Sequence, residues 1–299
     1  MTPSPIAVIG LGSMGYGIAA SALNAGHVVH GFDVNPDQVA RFTQAGGAPG
    51  ALADVAPSLS AAIVVVLNAA QTEAVLFGDD GLVANMPEGS VVIACATVPP
   101  AFARDMEARC AASGVLYLDA PISGGAKKAA TGALTIMASG TPAAFDAARP
   151  ALDAISEKVF ALGDEAGPGS AMKAVNQLLA GVHIATMAEA MTFGMTQGVT
   201  PEAFMQVIPE CAGTSWMLEN RGPHVRDGDY TPHSSVNIWP KDLGIVLDIA
   251  KSASFGAPIA AAALQQFLAA AGSGLGAEDD AAVAKVYARN AGLALPGDD

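Results

Sequence analysis

Apolar residues recur along the first half of the chain in short, nearly unbroken runs at 6–9, 28–32, 63–67, 91–95, 115–118 and 134–137, with a further run at 159–162. Each has the length of a strand and is rich in Val and Ile, and most are separated by stretches long enough for a helix. A strand that is apolar on both faces must be covered on both faces, and crossover helices on a parallel sheet supply that cover. The pattern predicts a doubly wound α/β domain with a mostly parallel sheet over residues 1–165.

The pattern changes after Gly163. Gly167-Pro168-Gly169 introduces a segment running to about Met195 that holds only Gly181 and Gly194 as breakers. Within it Met172, Val175, Leu179 and Val182 follow one another at spacings of three and four, predicting a helix with one apolar face, about 26 residues and roughly 39 Å long. From Thr200 to Leu293 the chain has helix-like segments broken by Gly and Pro and almost no β-branched runs. Residues 166–299 are therefore expected to form an all-helical domain, joined to the first by a long interdomain helix.

Composition fits two domains. A chain of 299 residues, 52% hydrophobic, can bury two cores. Only 14% of residues are charged and the formal net charge is -14, which argues against binding nucleic acid or an anionic membrane surface. Cys95, Cys110 and Cys211 lie far apart with no CxxC pair, and are expected to be reduced core thiols with no metal bound. The opening residues lack a leader pattern, and no apolar stretch is expected to span a membrane without polar interruption, so a soluble, cytoplasmic protein is expected.

Gly10-Leu11-Gly12-Ser13-Met14-Gly15 is a GxGxxG that follows a strand and opens a helix-like segment at 16–25. Gly10 allows the tight turn, Gly12 a close approach to a pyrophosphate, and Gly15 close packing of helix on sheet, with free helix N–H groups facing the anion. Asp33 ends the second strand, where an acid meets the ribose hydroxyls. The same acid would repel a 2′-phosphate, and Val34-Asn35-Pro36 offers no arginine to receive one, so NAD is the expected cofactor of a Rossmann-type domain. Arg41, the nearest cation, is expected to be solvated.

Asp119-Ala120-Pro121-Ile122-Ser123-Gly124-Gly125 offers a hydroxyl at Ser123 and unobstructed backbone N–H groups at Gly124 and Gly125, together a receptor for a carboxylate. Continuing to Gly132, Leu134, Met137 and Gly140, it resembles the substrate-binding signature of the beta-hydroxyacid dehydrogenases. Gly167 to Lys173 is similar to that family's glycine-x-glycine-x-x-x-lysine segment, and Lys241-Asp242-Leu243 to its late lysine-aspartate-leucine segment. The resemblance covers nearly the whole chain. It implies that Lys173 is the catalytic acid/base, that Lys241, Leu67, Asn68 and Thr97 border the nicotinamide end of the cofactor, and that the substrate is a small hydroxy acid. Oxidising an alcohol requires a group that takes the hydroxyl proton as hydride leaves. A lysine does so near neutral pH only if its usual pKa of about 10.4 falls.

The family usually places asparagine four residues after the lysine; here Gln177 stands there, with Asn176 before it. That departure leaves the substrate in doubt, not the reaction type. The stretches 68–71, 177–183, 215–217 and 219–221 resemble a branch of the family that oxidises L-threonate to a 2-oxo acid, and imply that Asn176, Gln177, Ser215 and Trp216 contact a polyhydroxy chain. Each buried hydroxyl needs a partner, which these polar residues suit. Oxidation of 3-hydroxyisobutyrate, reduction of tartronate semialdehyde and a cofactor-binding sensor or scaffold are the alternative readings. The resemblance also implies a homodimer or homotetramer.

Overall fold

The computed structural model describes residues 5–297. The chain divides into two compact units within its longest helix, between Lys173 and Ala174.

In the first unit five parallel strands, β1 (Ile6–Ile9), β2 (Val29–Phe32), β3 (Ala61–Val64), β4 (Val91–Ala94) and β5 (Leu116–Asp119), pair in the order β2-β1-β3-β4-β5. The chain leaves β1 for β2 on one side and crosses back to β3 on the other. The carboxyl ends of β1 and β3 thus flank the point where strand order reverses, the place at which open α/β sheets take ligands. Side chains alternate between two buried layers: Ile6, Val8, Ile63 and Ile93 point into one, Ala7, Ile9, Val64 and Val92 into the other. Both faces are covered, as the unbroken apolar runs require.

The later runs are not part of this sheet. β6 (Ile122–Ser123), β7 (Leu134–Ala138) and β8 (Ser156–Ala161) form a separate three-stranded sheet, β6 antiparallel and β7 to β8 parallel. Pro121, which has no N–H to donate, follows β5, and its carbonyl accepts from the Met137 N–H. Apolar runs mark strands but do not say which sheet they join. The run at 63–67 also shifts: β3 ends at Val64, and Leu67 is exposed.

The second unit holds no named strand among the described residues. Its core gathers Ile184, Met187, Met191, Trp239, Leu243 and Phe267, with the Trp239 and Phe267 rings stacked 5.4 Å apart. Gly181 is bare because a Cβ there would meet the Trp239 ring at 2.9 Å.

The helix Pro168–Thr196 runs 29 residues. Its apolar stripe is not its buried side. Met172, Val175 and Leu179 are exposed, whereas Ser170, Lys173, Ala174 and Gln177 are buried. A periodic stripe identifies a helix, but it does not tell which side faces the chain's own core. By length and a mean hydropathy of 1.3 this helix could cross a membrane, but it is interrupted by Lys173, Asn176, Gln177, His183 and Glu189, as expected from the sequence, and its Ile184, Met187 and Met191 belong to the helical core. Cys95 and Cys110 are buried, and burial pushes each thiol up to about 12; Cys211 is exposed, not a core thiol.

Candidate active site

The glycine loop joins β1 to the helix Gly15–Asn24. Gly10 has φ +95°, and a Cβ on it would lie 2.3 Å from the Val65 carbonyl oxygen; one on Gly15 would lie 1.7 Å from the Gly10 oxygen. Both glycines are dictated by the protein's own packing. Gly12 differs, since a Cβ there would meet nothing within 4 Å. Its bareness serves no internal contact, which fits a backbone left open to an incoming pyrophosphate. Ser13 is exposed and Met14 half-buried at the helix start.

Asp33 closes the turn. Its Oδ2 accepts the Leu11 N–H at 2.6 Å and its Oδ1 the Asn35 N–H at 2.8 Å, so the acid at the end of β2 also braces the glycine loop. Arg41 lies 3.9 Å above the Tyr16 ring, outside that turn. Asn68 caps the helix Ala69–Phe77 by accepting the Gln71 N–H at 2.9 Å, while the Gln71 side chain accepts the Leu67 N–H at 2.9 Å. This reciprocal pair fixes the segment leaving β3. Thr97 is half-buried just past β4. These residues, with Gly12 open, form a cradle that fits a dinucleotide.

Lys173 stands on the first turns of the helix Pro168–Thr196, 9% exposed, and its Nζ donates to the Ile122 carbonyl at 2.8 Å. Ile122 opens the stretch Ser123-Gly124-Gly125, where Gly124 has φ +131° and Gly125 φ +70°. The structure therefore brings the lysine to the segment read as a carboxylate receptor.

What holds that arrangement is Asp119, a residue the sequence reading quoted but gave no role. Its carboxylate accepts from the N–H groups of Gly167 (3.0 Å) and Ser170 (2.8 Å), from Ser170 Oγ (2.7 Å) and from Ser139 Oγ (3.3 Å). Ser139 Oγ in turn accepts the Gly169 N–H at 2.9 Å. A carboxylate at a helix N-terminus satisfies donors that would otherwise be orphaned and meets the positive end of the helix dipole. Burial pushes the Asp119 carboxyl above its usual range, and these hydrogen bonds oppose that rise. The signal was an acid ending an otherwise apolar strand, which is affordable only with partners.

In the second unit Gln177, one turn beyond Lys173 on the same helix, donates to Asp242 Oδ2 and accepts from Asn176 Nδ2. The other Asp242 oxygen pairs with Lys241. Gln177, Asp242 and Lys241 thus form one connected group, and the longer arm of glutamine is occupied in reaching the buried carboxylate. Ser215 and Trp216 begin the helix Trp216–Asp227. Ser215 Oγ is engaged as its cap, accepting the Leu218 N–H at 3.1 Å, and Trp216 is exposed rather than packed.

Residues 5–163 match the family model described as the NAD binding domain of 6-phosphogluconate dehydrogenase. Residues 167–287 match the model described as NAD-binding of NADP-dependent 3-hydroxyisobutyrate dehydrogenase. The chain is 51% identical to an L-threonate dehydrogenase of Cupriavidus necator, over 98% of each chain. It is 35% identical to a 3-hydroxyisobutyrate dehydrogenase of Pseudomonas aeruginosa, over 88% of this chain and 90% of that one. A crystal structure of a 3-hydroxyisobutyrate dehydrogenase from Salmonella typhimurium superposes with a TM-score of 0.89 at 45% identity, covering 94% of this chain and 99% of that one. A glycine loop that leaves Gly12 bare, an acid at the end of β2 and a buried lysine beside Ser123-Gly124-Gly125 thus occur in a chain that belongs to the beta-hydroxyacid dehydrogenase family and is an NAD-dependent hydroxy acid dehydrogenase.

Proposed function

We propose that this enzyme oxidises L-threonate to its 2-oxo acid, with Lys173 as the general acid/base. The observation that carries the catalytic role is the buried Lys173 amine, whose Nζ donates to the Ile122 carbonyl at 2.8 Å beside Ser123-Gly124-Gly125. The substrate rests on the 51% identity to an L-threonate dehydrogenase over nearly the whole chain.

In this reading Ser123 Oγ and the N–H groups of Gly124 and Gly125 receive the substrate carboxylate. Neutral Lys173 takes the hydroxyl proton during oxidation and returns it during reduction. Bound NAD supplies the hydride acceptor. Gly10 to Gly15 would hold its pyrophosphate, Asp33 its ribose hydroxyls, and Leu67, Asn68, Thr97 and Lys241 would border its nicotinamide end. Asn176, Gln177, Ser215 and Trp216 contact the remaining hydroxyls, with Asp242 fixing the Gln177 amide.

Exposed Met172, Val175 and Leu179 on one helix support assembly into a homodimer or homotetramer. A soluble, cytoplasmic location goes with this metabolic chemistry. The runner-up, 3-hydroxyisobutyrate oxidation, is favoured by the 45% identity to a structure of that name. A panel of hydroxy acids with NAD and with NADP, followed by the absorbance of the reduced cofactor, decides between them. The largest kcat/KM is expected for L-threonate with NAD; a larger value for 3-hydroxyisobutyrate would overturn the substrate.

A further inference from the structure

The second unit carries a cluster of metal-ligating side chains that hydroxy acid oxidation does not use. His224 lies in the last turn of the helix Trp216–Asp227, His233 in the segment after it, and Asp279 just before the short helix Asp280–Val283. One potential ligand atom from each lies within 4.8 Å of the others.

The hydrogen bonds define how the cluster is set. His224 Nδ1 stands 2.7 Å from the Asp229 carbonyl oxygen, which can only accept. Nδ1 is therefore the protonated nitrogen of the neutral ring, and Nε2 presents its lone pair. A metal-bound imidazole is commonly oriented in this way, by donation from its other nitrogen to a carbonyl. Nε2 points at His233 Nδ1, 3.2 Å away, with the two rings edge to face at 4.7 Å between centroids. Two nitrogens bound at about 2.0–2.1 Å to one tetrahedral ion lie roughly 3.3 Å apart, so a shared ion could replace this hydrogen bond with little change in separation.

Asp279 supplies the negative charge. It is fully buried, its Oδ1 accepts the Ala281 N–H at 3.1 Å, and its Oδ2 accepts the His233 N–H at 2.8 Å. The backbone on either side of the site is tied in as well, through the Asp279 N–H to the Tyr230 carbonyl at 2.9 Å and a bridge between Ser235 and Asp279. Arg221 approaches the Oδ1 side at 3.7 Å, while Oδ2, among the described residues, accepts only the His233 backbone N–H and keeps acceptor capacity for an ion. His233 is exposed, so its ring can turn to bring the three donors together and a water can complete the shell.

We propose that His224, His233 and Asp279 bind one divalent transition ion of the zinc class. Two imidazoles with one carboxylate suit such an ion and not the all-oxygen shell of magnesium or calcium. The ion would clip the end of the helix Trp216–Asp227 to the turn at Asp279. It is separate from the hydroxy acid chemistry assigned to Lys173, so the two proposals stand or fall independently.

The test is equilibrium dialysis of untagged, full-length protein against zinc chloride, followed by metal analysis, with Co²⁺ substitution as a spectroscopic probe. The wild type and Cys211→Ser are expected to retain one zinc per chain and, with cobalt, to show ligand-field bands without thiolate charge transfer. His233→Ala and His224→Ala are expected to weaken retention at least tenfold. Zinc should raise the melting temperature of the wild type and not of His233→Ala. Retention no greater in the wild type than in the double histidine variant, or loss of zinc in Cys211→Ser, would overturn the proposal.

Discussion

Ser170 gives Asp119 two hydrogen bonds, one from its N–H at 2.8 Å and one from its Oγ at 2.7 Å, and three residues further along the same helix stands Lys173. The strand that ends at Asp119 leads directly into the segment whose Ile122 carbonyl holds the lysine. Strand end and helix start are therefore locked together on both sides of the candidate catalytic amine.

Asp119→Asn tests that lock. The amide keeps the shape but presents N–H groups where the carboxylate accepted, so at least one donor among Gly167, Ser170 and Ser139 loses its partner. A buried group left unsatisfied costs about 1–3 kcal/mol. We expect lower stability in urea and a kcat reduced more than NAD affinity, because the glycine loop is untouched. A kcat equal to that of the wild type would show that the lysine does not depend on this acid.

Two glycines of one loop should fail in different ways. Gly15→Ala places a methyl 1.7 Å from the Gly10 oxygen and must distort the loop, so both thermal stability and NAD binding fall. Gly12→Ala meets nothing within the protein, so stability is retained while NAD binding is lost to the intruding methyl. Calorimetry alongside NAD titration separates the cases; unimpaired NAD binding by Gly12→Ala would remove the loop from the cofactor site.

Asp33 accepts the Leu11 N–H and, at the ribose site proposed for it, would repel a 2′-phosphate. Asp33→Ala should therefore weaken NAD binding and shift the ratio of kcat/KM values toward NADP. An unchanged cofactor ratio would count against its role at the ribose.

Asp280 offers a pH signature of the helical core. Arg221 donates to it at 2.5 Å and Trp239 Nε1 at 2.9 Å, yet burial outweighs them and pushes its carboxyl up to about 6. With its folded value above the unfolded one near 3.9, the folded state binds the proton more tightly between about pH 4 and 6. This group's contribution to stability is thus present at the acid end and is lost as pH rises through 6. Urea melts at pH 4.5 and 7 should show that loss in the wild type and a smaller one in Asp280→Asn; identical pH dependence in both would contradict it.

Much of this architecture was legible from residue patterns. The five parallel strands declared themselves because strands buried on both faces have almost no polar positions, and the glycine loop because its glycines stand at fixed places between strand and helix. Other features were not readable. The runs at 134–137 and 159–162 signal strands equally well, but pairing is a long-range choice, and they pair with one another in a second sheet rather than with the first. The stripe Met172, Val175, Leu179 is the strongest periodicity in the long helix, yet the side that is buried carries Ser170, Lys173 and Gln177, whose partners Asp119, Ile122 and Asp242 are distant in sequence. The role proposed for Lys173 comes from the resemblance of Gly167 to Lys173 to a family segment, because an isolated lysine on a helix gives no sign of burial.

The central claim is that the amine of Lys173 moves the proton of a hydroxy acid's alcohol group. Its most direct test is NADH formation from L-threonate by Lys173→Ala, with NAD affinity measured on the same sample. We predict a loss of at least about a hundredfold in kcat with NAD binding retained, as expected when a group acts chiefly on the transition state. Turnover equal to that of the wild type would contradict it.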